Sequence, residues 1–259
     1  MYGDGNKHRG IINPVKRKGE PHVGPDALMI MIPSELKYLV RTAHAQEISF
    51  NEMMMYRLYQ TTDKTVTPLT LAGPFIGAPH AVIAMEKLIV LGARRIWVFG
   101  WCGSLQPGIR IGHLLIPTGA VSEEGTSGHY PVGERVPESD ASLDRMVEDA
   151  LRQQCLPFFK GPVWTTDAVY RETPEKVKAY QARGVMGVEM EMAALMTLAL
   201  YRSVKIAALL VVSDELFDLK WRPGFSNPSL RKASHVAGRI LLDIAGSLHY
   251  KDDLKHKDV

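Results

Sequence analysis

Residues 206–212 (IAALLVV) constrain the fold of this chain more than any other segment: they are continuously apolar, short, and closed by Ser213-Asp214. Such a run is far too short to span a bilayer. With no polar residue alternating in it, it predicts a strand buried on both faces, the kind found in parallel sheets covered by helices. Similar runs recur along the chain. Residues 27–32 (ALMIMI), 69–73, 95–100 (RIWVFG), 113–121 and 158–165 predict further strands. Helical patterns lie between them. One is opened by Pro33-Ser34-Glu35 with Ser34 as its N-cap, one covers 78–91, and one covers 139–154. In the last, Leu143, Met146, Val147, Ala150 and Leu151 fall on a single apolar face. Thr173-Pro174 and Asn227-Pro228 each set a cap before a proline at the first helical position. The second opens a long helix with Leu230, Ala237, Ile240, Leu241, Ile244 and Leu248 on one side. Strands and helices in alternation predict one α/β domain, a central mixed, largely parallel sheet flanked by helices.

Composition narrows the remaining classes. Of 259 residues, 46% are hydrophobic and 23% charged, which supports a sizeable core and excludes wholesale disorder. A net charge of +3 argues against nucleic acid as a partner. Cys102 and Cys155 are too few for a disulfide framework, and no Cys/His spacing suggests a metal site. The longest apolar run, 192–201, is half a membrane span, and no apolar stretch follows the basic residues of the amino terminus. The expectation is a cytoplasmic protein with no membrane partner. Residues 1–25 carry Lys7, His8, Arg9, Lys16, Arg17 and Lys18 among glycines and prolines, and read as a basic, partly ordered arm. Residues 26–250 form the domain, and 251–259 read as a frayed tail.

In open α/β sheets ligands bind beyond the carboxyl ends of the strands. That geometry selects the loops 73–77, 100–103, 165–170 and 213–215. The first has glycine at both ends and runs into a helix whose free N–H groups could hold an anion. Neither the dinucleotide fingerprint nor the P-loop is present, which sets aside nicotinamide and NTPase chemistry. The segment GVEMEMAA at 187–194 is more pointed, because Glu189 and Glu191 flank Met190 where an extended segment enters an apolar helix. A carboxylate can accept two hydrogen bonds side by side, which suits the vicinal hydroxyls of ribose. Equally, both acids could lie in the first helical turn and complement its dipole. Asp214 has two readings as well: a turn or cap residue, or a buried acid whose raised pKa lets it give a proton to a leaving group.

These residues resemble the nucleoside phosphorylase superfamily, which includes purine nucleoside phosphorylase, uridine phosphorylase and related nucleosidases. The resemblance runs from about Ala27 to Ala245. VEME at 188–191 resembles the ribose-binding element; GWCGSLQP at 100–107 and IGHLLI at 111–116 resemble the central glycine loop and the next strand. EEGTSGHYP at 123–131 and WTTDAVYRE at 164–172 resemble the uridine branch, whereas Ser213-Asp214 resembles the purine branch.

The resemblance implies a phosphorylase/hydrolase-like fold and cleavage of the N-glycosidic bond of a purine or pyrimidine nucleoside. Glu191, with Met190 and Glu189, would hold the sugar. Asp214 would protonate the base with help from Arg231. Gly100, Trp101, Thr166, Val169 and Ser213 would line the substrate. No cofactor is implied beyond phosphate as co-substrate, and the partners implied are a nucleoside and further copies of the chain, as a dimer or hexamer.

The family's three phosphate-binding arginines align with Glu35, Asn51 and Val98, and its small hydroxyl residue with Trp101. None of these replaces a bidentate guanidinium. A second reading is therefore a nucleosidase using water, with Glu35 as general base, and a third is a nucleoside-binding module without turnover. His22 and His129 are candidates for the ribose or a subunit interface, and Met53, Met54 and Met55 for an interface or the core.

Overall fold

The computed structural model describes residues 10–48, 55–62 and 68–257, with side chains through Leu248. Of the positions singled out above, Lys7, His8, Arg9, Asn51, Met53 and Met54 lie outside the described residues. In chain order the elements are β1 (Asp26–Ile30), α1 (Pro33–Thr42), β2 (Ala45–Ile48), β3 (Arg57–Thr61), β4 (Thr70–Gly73), α2 (Ala78–Leu91), β5 (Arg95–Ser104), β6 (Leu114–Glu123), α3 (Ala141–Gln153), β7 (Phe158–Thr166), α4 (Pro174–Ala182), β8 (Gly187–Glu189), α5 (Met192–Arg202), β9 (Lys205–Glu215), β10 (Arg222–Pro223) and α6 (Pro228–Lys257). Single 3₁₀ turns occupy Ser127–His129 and Val169–Arg171. Among the described residues no helix is long and apolar enough to cross a membrane.

The apolar run at 206–212 lies in β9 and is covered on both faces. Ile206, Ala208, Leu210 and Val212 join a core beneath α2 and α5, while Ala207, Leu209 and Val211 join a second core beneath α1, α3 and α6. The same split occurs in β5, where Val98 and Cys102 face one core and Trp97 and Phe99 the other. On α6, Leu230, Ala237, Ile240, Leu241 and Ile244 are buried as their spacing predicted. Asp140 caps α3, accepting from the amides of Ser142 (2.9 Å) and Leu143 (3.1 Å). Ser34 is not the N-cap of α1: the helix starts at Pro33 with Ile32 as cap, because proline satisfies the first helical position without a donor.

The strands form one sheet in the order β10-β9-β6-β7-β8-β5-β1-β4-β3-β2, and β9 also pairs with β5. That extra pairing closes β5, β9, β6, β7 and β8 into a ring, from which β1 leads out to β4, β3 and β2 while the short β10 lies along β9. The expected open sheet is thus partly a small barrel. The parallel pairs β1–β4, β1–β5, β5–β9, β6–β7 and β7–β8 are matched by antiparallel ones, including the hairpin of β2 and β3 that sequence periodicity did not predict. Both strands of that hairpin are largely polar, and only Leu58 of β3 is fully buried.

Within the described residues, parts of both flanking segments carry defined contacts or helix. Beyond residue 14 the basic arm lies against α2 and β3: Lys87 Nζ donates to the carbonyl of Val15 (2.8 Å) and to Glu20 (2.9 Å), Val23 is fully buried, and Gln60 donates to the carbonyl of His22. At the other end α6 continues to Lys257, through most of the segment expected to fray.

Candidate active site

Gly103 is the crossing point of the site. It pairs with Val188 of β8 on one side and with Asp214 of β9 on the other. The register between β5 and β9 slips after Cys102, so that Ser213 is an extra residue in β9, a bulge that re-aims Asp214. A side chain at position 103 would fill the space between the strands: its Cβ would lie 2.5 Å from Leu216 Cδ1, 3.1 Å from Asp214 Oδ2 and 3.2 Å from Val188 Cγ1. The thiol of Cys102 is fully buried, and its pKa is raised by that burial and then by the charges of Asp214 and Glu189. Both carboxyls therefore act on one buried atom, although they are 25 positions apart in sequence.

Asp214 Oδ1 accepts from Ser213 Oγ at 2.6 Å and Oδ2 from Trp221 Nε1 at 2.9 Å. Burial raises its pKa, and the two donors oppose the rise by favouring the charged form. Glu172 faces it. This half-buried carboxyl accepts no hydrogen bond among the described residues, and burial followed by the charge of Asp214 pushes its pKa up to about 7. Sequence reasoning quoted Glu172 as the end of a motif and missed it as a site residue. Nothing local distinguishes it; only folding brings it to Asp214.

The two acids of the VEME segment have different environments. Glu189 ends β8 and caps α5: Oε2 accepts from the amides of Glu191 (2.6 Å) and Met192 (2.7 Å), and Oε1 from Thr165 Oγ1. Both its oxygens are engaged by protein. Glu191 is the N-cap residue of α5 and sends Oε1 across to the amide of Gly77, 2.6 Å away, at the start of α2. The N–H that could have served an anion at the 73–77 loop is therefore taken by Glu191. Neither acid lies inside a first helical turn. Burial raises both pKa values, and the charge of Glu189 raises that of Glu191 further. Met190 between them is half-buried.

The other expected positions are dispersed. Thr166 is buried, its Oγ1 accepting from the amide of Ala168. Val169 is exposed in the 3₁₀ turn that follows β7. Gly100 lies within β5 rather than in a loop, packed between Met31 and Leu210. Trp101, half-buried, donates to Ser234 Oγ of α6 at 2.8 Å. Arg231 is not at Asp214. It is exposed on α6, and its charge is felt at His235, whose pKa is lowered by burial, Arg231 and Arg239; Trp221 occupies the place beside the acid. Glu35 is buried in α1, its pKa raised by burial, with Oε2 3.8 Å from His235 Nε2. His22 and His129 are exposed. Glu123 and Glu124 of the EEGT segment hold structure: Glu123 accepts from Lys176 and Tyr180 of α4, and Glu124 caps the turn at Ser127–His129.

A family profile described as the phosphorylase superfamily matches residues 26–245. The chain belongs to the phosphorylase superfamily. Its curated relatives include a guanosine phosphorylase of Halorubrum lacusprofundi, 34% identical over 152 residues that cover 58% of this chain and 62% of that protein. They also include a uridine phosphorylase of Treponema pallidum, 34% identical over 66% of this chain and 69% of that protein. A solved purine nucleoside phosphorylase of Toxoplasma gondii, in complex with immucillin-H, shares the fold: TM-score 0.78, 21% identity, 94% of this chain and 99% of that one. The fold of this superfamily member is thus that of an α/β phosphorylase with a mixed sheet flanked by helices.

Proposed function

We propose that the protein is a nucleoside phosphorylase, transferring the ribosyl group of a purine or pyrimidine nucleoside to phosphate. The observation that carries this reading is the convergence of β8 and β9 on Gly103, which sets the VEME segment beside Asp214. Breaking the C1′–N bond leaves positive charge on the sugar and sends the electron pair to the base. Glu191, less fully engaged by the protein than Glu189, would accept from a ribose hydroxyl; Met190 would pack under the sugar, and Glu189 would support the segment as the cap of α5. Asp214, whose pKa burial raises, would give a proton to a base nitrogen, a contribution typically of ~10²–10⁴-fold in rate. Phosphate oxygen then bonds to C1′, and free base and ribose 1-phosphate result.

The relatives, named as phosphorylases, do not favour water as the nucleophile. Phosphate would have to bind without arginines at positions 35 and 98; His235 Nε2 of α6 lies 3.8 Å from Glu35, and the charges of Arg231 and Arg239 act on that imidazole. The reading includes a cytoplasmic enzyme that assembles with copies of itself. Exposed Ile76 and Ile83 at the start of α2 are apolar surface in support of such an assembly.

The test is to incubate the protein with inosine, uridine, adenosine and methylthioadenosine, with and without phosphate, and to measure free base and sugar phosphate. Base release and ribose 1-phosphate only with phosphate is the expected result. Equal release without phosphate would give the chemistry to water, and no release would remove the enzyme reading. Replacing Asp214 by Asn should slow cleavage by ~10²-fold or more at neutral pH; an unchanged rate would take Asp214 out of the mechanism.

A further inference from the structure

Downstream of Asp214 the chain turns back on itself. Arg222 pairs with Glu215 and Pro223 with Asp214, so β10 is laid along the end of β9, and the amide of Gly224 donates to the carbonyl of Ser213 at 2.9 Å. Gly224 allows that approach, since a Cβ there would lie 2.6 Å from the Ser213 oxygen. The turn is closed by the Arg222–Asp218 ion pair, and the guanidiniums of Arg222 and Arg110 lie over the ring of Phe217. A segment fastened in this way still leaves two large rings in solvent. Trp221 is 63% exposed and Phe225 58%. Their centroids are 6.3 Å apart, and Phe225 continues to Trp101 at 6.1 Å with an interplanar angle of 28°. Exposed apolar surface fastened beside a half-buried acid marks a surface that a ligand covers.

We propose that Trp221 serves the reaction in two ways: its indole N–H fixes the Asp214 carboxyl, and its exposed ring, extended by Phe225, receives the face of the substrate's nucleobase. The inference rests on the reading of Asp214 as the proton donor to the base. The geometry follows from one distance. A base nitrogen within hydrogen-bond reach of Asp214, about 3 Å, cannot lie far from an indole nitrogen that is itself 2.9 Å from Oδ2. A base held there would come alongside the indole, within reach of its exposed face. Every nucleobase has a π-face, so a stacking wall of this kind accepts purines and pyrimidines alike. Val169, in the 3₁₀ turn that follows β7, offers only aliphatic surface. Each Asp214 oxygen receives one donor from the protein, Ser213 or Trp221, which leaves a lone-pair direction for the proton in transit. The titratable groups around the carboxyl are Glu172 after β7 and the Cys102 thiol of β5. Glu215 is turned away to Arg110 and the amide of Ile111, and Arg222 is paired with Asp218.

Two variants separate the roles. Trp221→Phe keeps a ring and removes the N–H; Trp221→Ala removes both. Calorimetric titration with hypoxanthine and uracil measures the stacking, and the pH profile of kcat/KM with inosine and phosphate measures the hold on the acid. In Trp221→Phe, base affinity should stay within about twofold, while the alkaline limb of kcat/KM moves up by roughly one pH unit because the charged carboxylate has lost a donor. In Trp221→Ala the same displacement should appear with a rise in base Kd of roughly 5- to 100-fold. Wild-type Kd together with an unmoved limb in Trp221→Ala overturns the proposal. If the wild-type protein cleaves no nucleoside yet Trp221→Ala weakens base binding, the stacking role stands and the phosphorylase reading falls. Absence of both binding and cleavage in the wild type overturns both.

Discussion

Glu172 and Asp214 show what burial does to carboxyls that share a crevice. The folded pKa of Glu172 lies near 7, above the ordinary 4.5, so folding favours its neutral form. Its contribution to stability is complete below about pH 4.5 and is lost as pH rises through 7, where folding must hold a half-desolvated charge beside a second acid. Glu172→Gln should therefore melt at the same temperature as wild type in mild acid. It should be more stable by about 1–2 kcal/mol at pH 8, a figure discounted for its partial solvation. Melting temperature as a function of pH checks this, and parallel curves for the two proteins would show that the site does not desolvate Glu172. Trp221 belongs to the same scale. In sequence it is one of three aromatics between positions 217 and 225, and nothing local ties it to an acid seven positions earlier.

The start of α5 gives neighbouring glutamates different work. Glu189 satisfies two amides of the first helical turn and binds the Thr165 hydroxyl, which in turn accepts from the amide of Ala193 at 2.9 Å. Removing the carboxylate as Glu189→Ala leaves those buried donors unpaired. The expected cost is about 2–3 kcal/mol, or a fall in Tm of roughly 5–10 °C by calorimetry. Glu191 is held by backbone hydrogen bonds from Met190 and, at close range, from Gly77. Glu191→Gln can keep the bond from Gly77, so its Tm should change by less than a third as much, while kcat/KM falls by about 10–100-fold if Glu191 holds the ribose. A large loss of stability in Glu191→Gln with unchanged kinetics would reverse the two assignments. α5 itself was legible as an apolar run. Its capping was not, because a carboxylate two residues ahead of the cap reaches the helix only when β8 places it there.

At the scale of the whole molecule, the pairing of β9 with β5 turns a sheet into a ring and gives Gly103 two strand neighbours. Gly103→Ala should fold, since its nearest clash is with the flexible end of Leu216, but it should push Asp214 and Val188 apart. Far-UV circular dichroism should be unchanged, stability lower by about 1–3 kcal/mol, and kcat reduced more than KM is raised. Full activity in the alanine variant would mean that the spacing of those strands does not set the site. The fastening of the arm to α2 through Lys87 and Glu20 is likewise a property of the assembled molecule. As isolated sequence, the arm looks like solvated charge.

The chain by itself determined which segments are strands and helices wherever burial is two-sided or strictly periodic: β9 from an unbroken apolar run, α3 and α6 from their apolar faces, α4 and α6 from a cap followed by proline. These signals are local, set by pleat, helical pitch and capping chemistry, and need no knowledge of neighbours. Motifs also pointed to Glu191 and Asp214. Tertiary structure alone decided that Glu189 is fully engaged in capping, that Trp221 rather than Arg231 meets Asp214, that Glu172 faces the same acid, and that the sheet closes. Those outcomes depend on strand register and on a single extra residue at Ser213. A shift of one position changes what a side chain meets while leaving the hydrophobic pattern of its segment untouched.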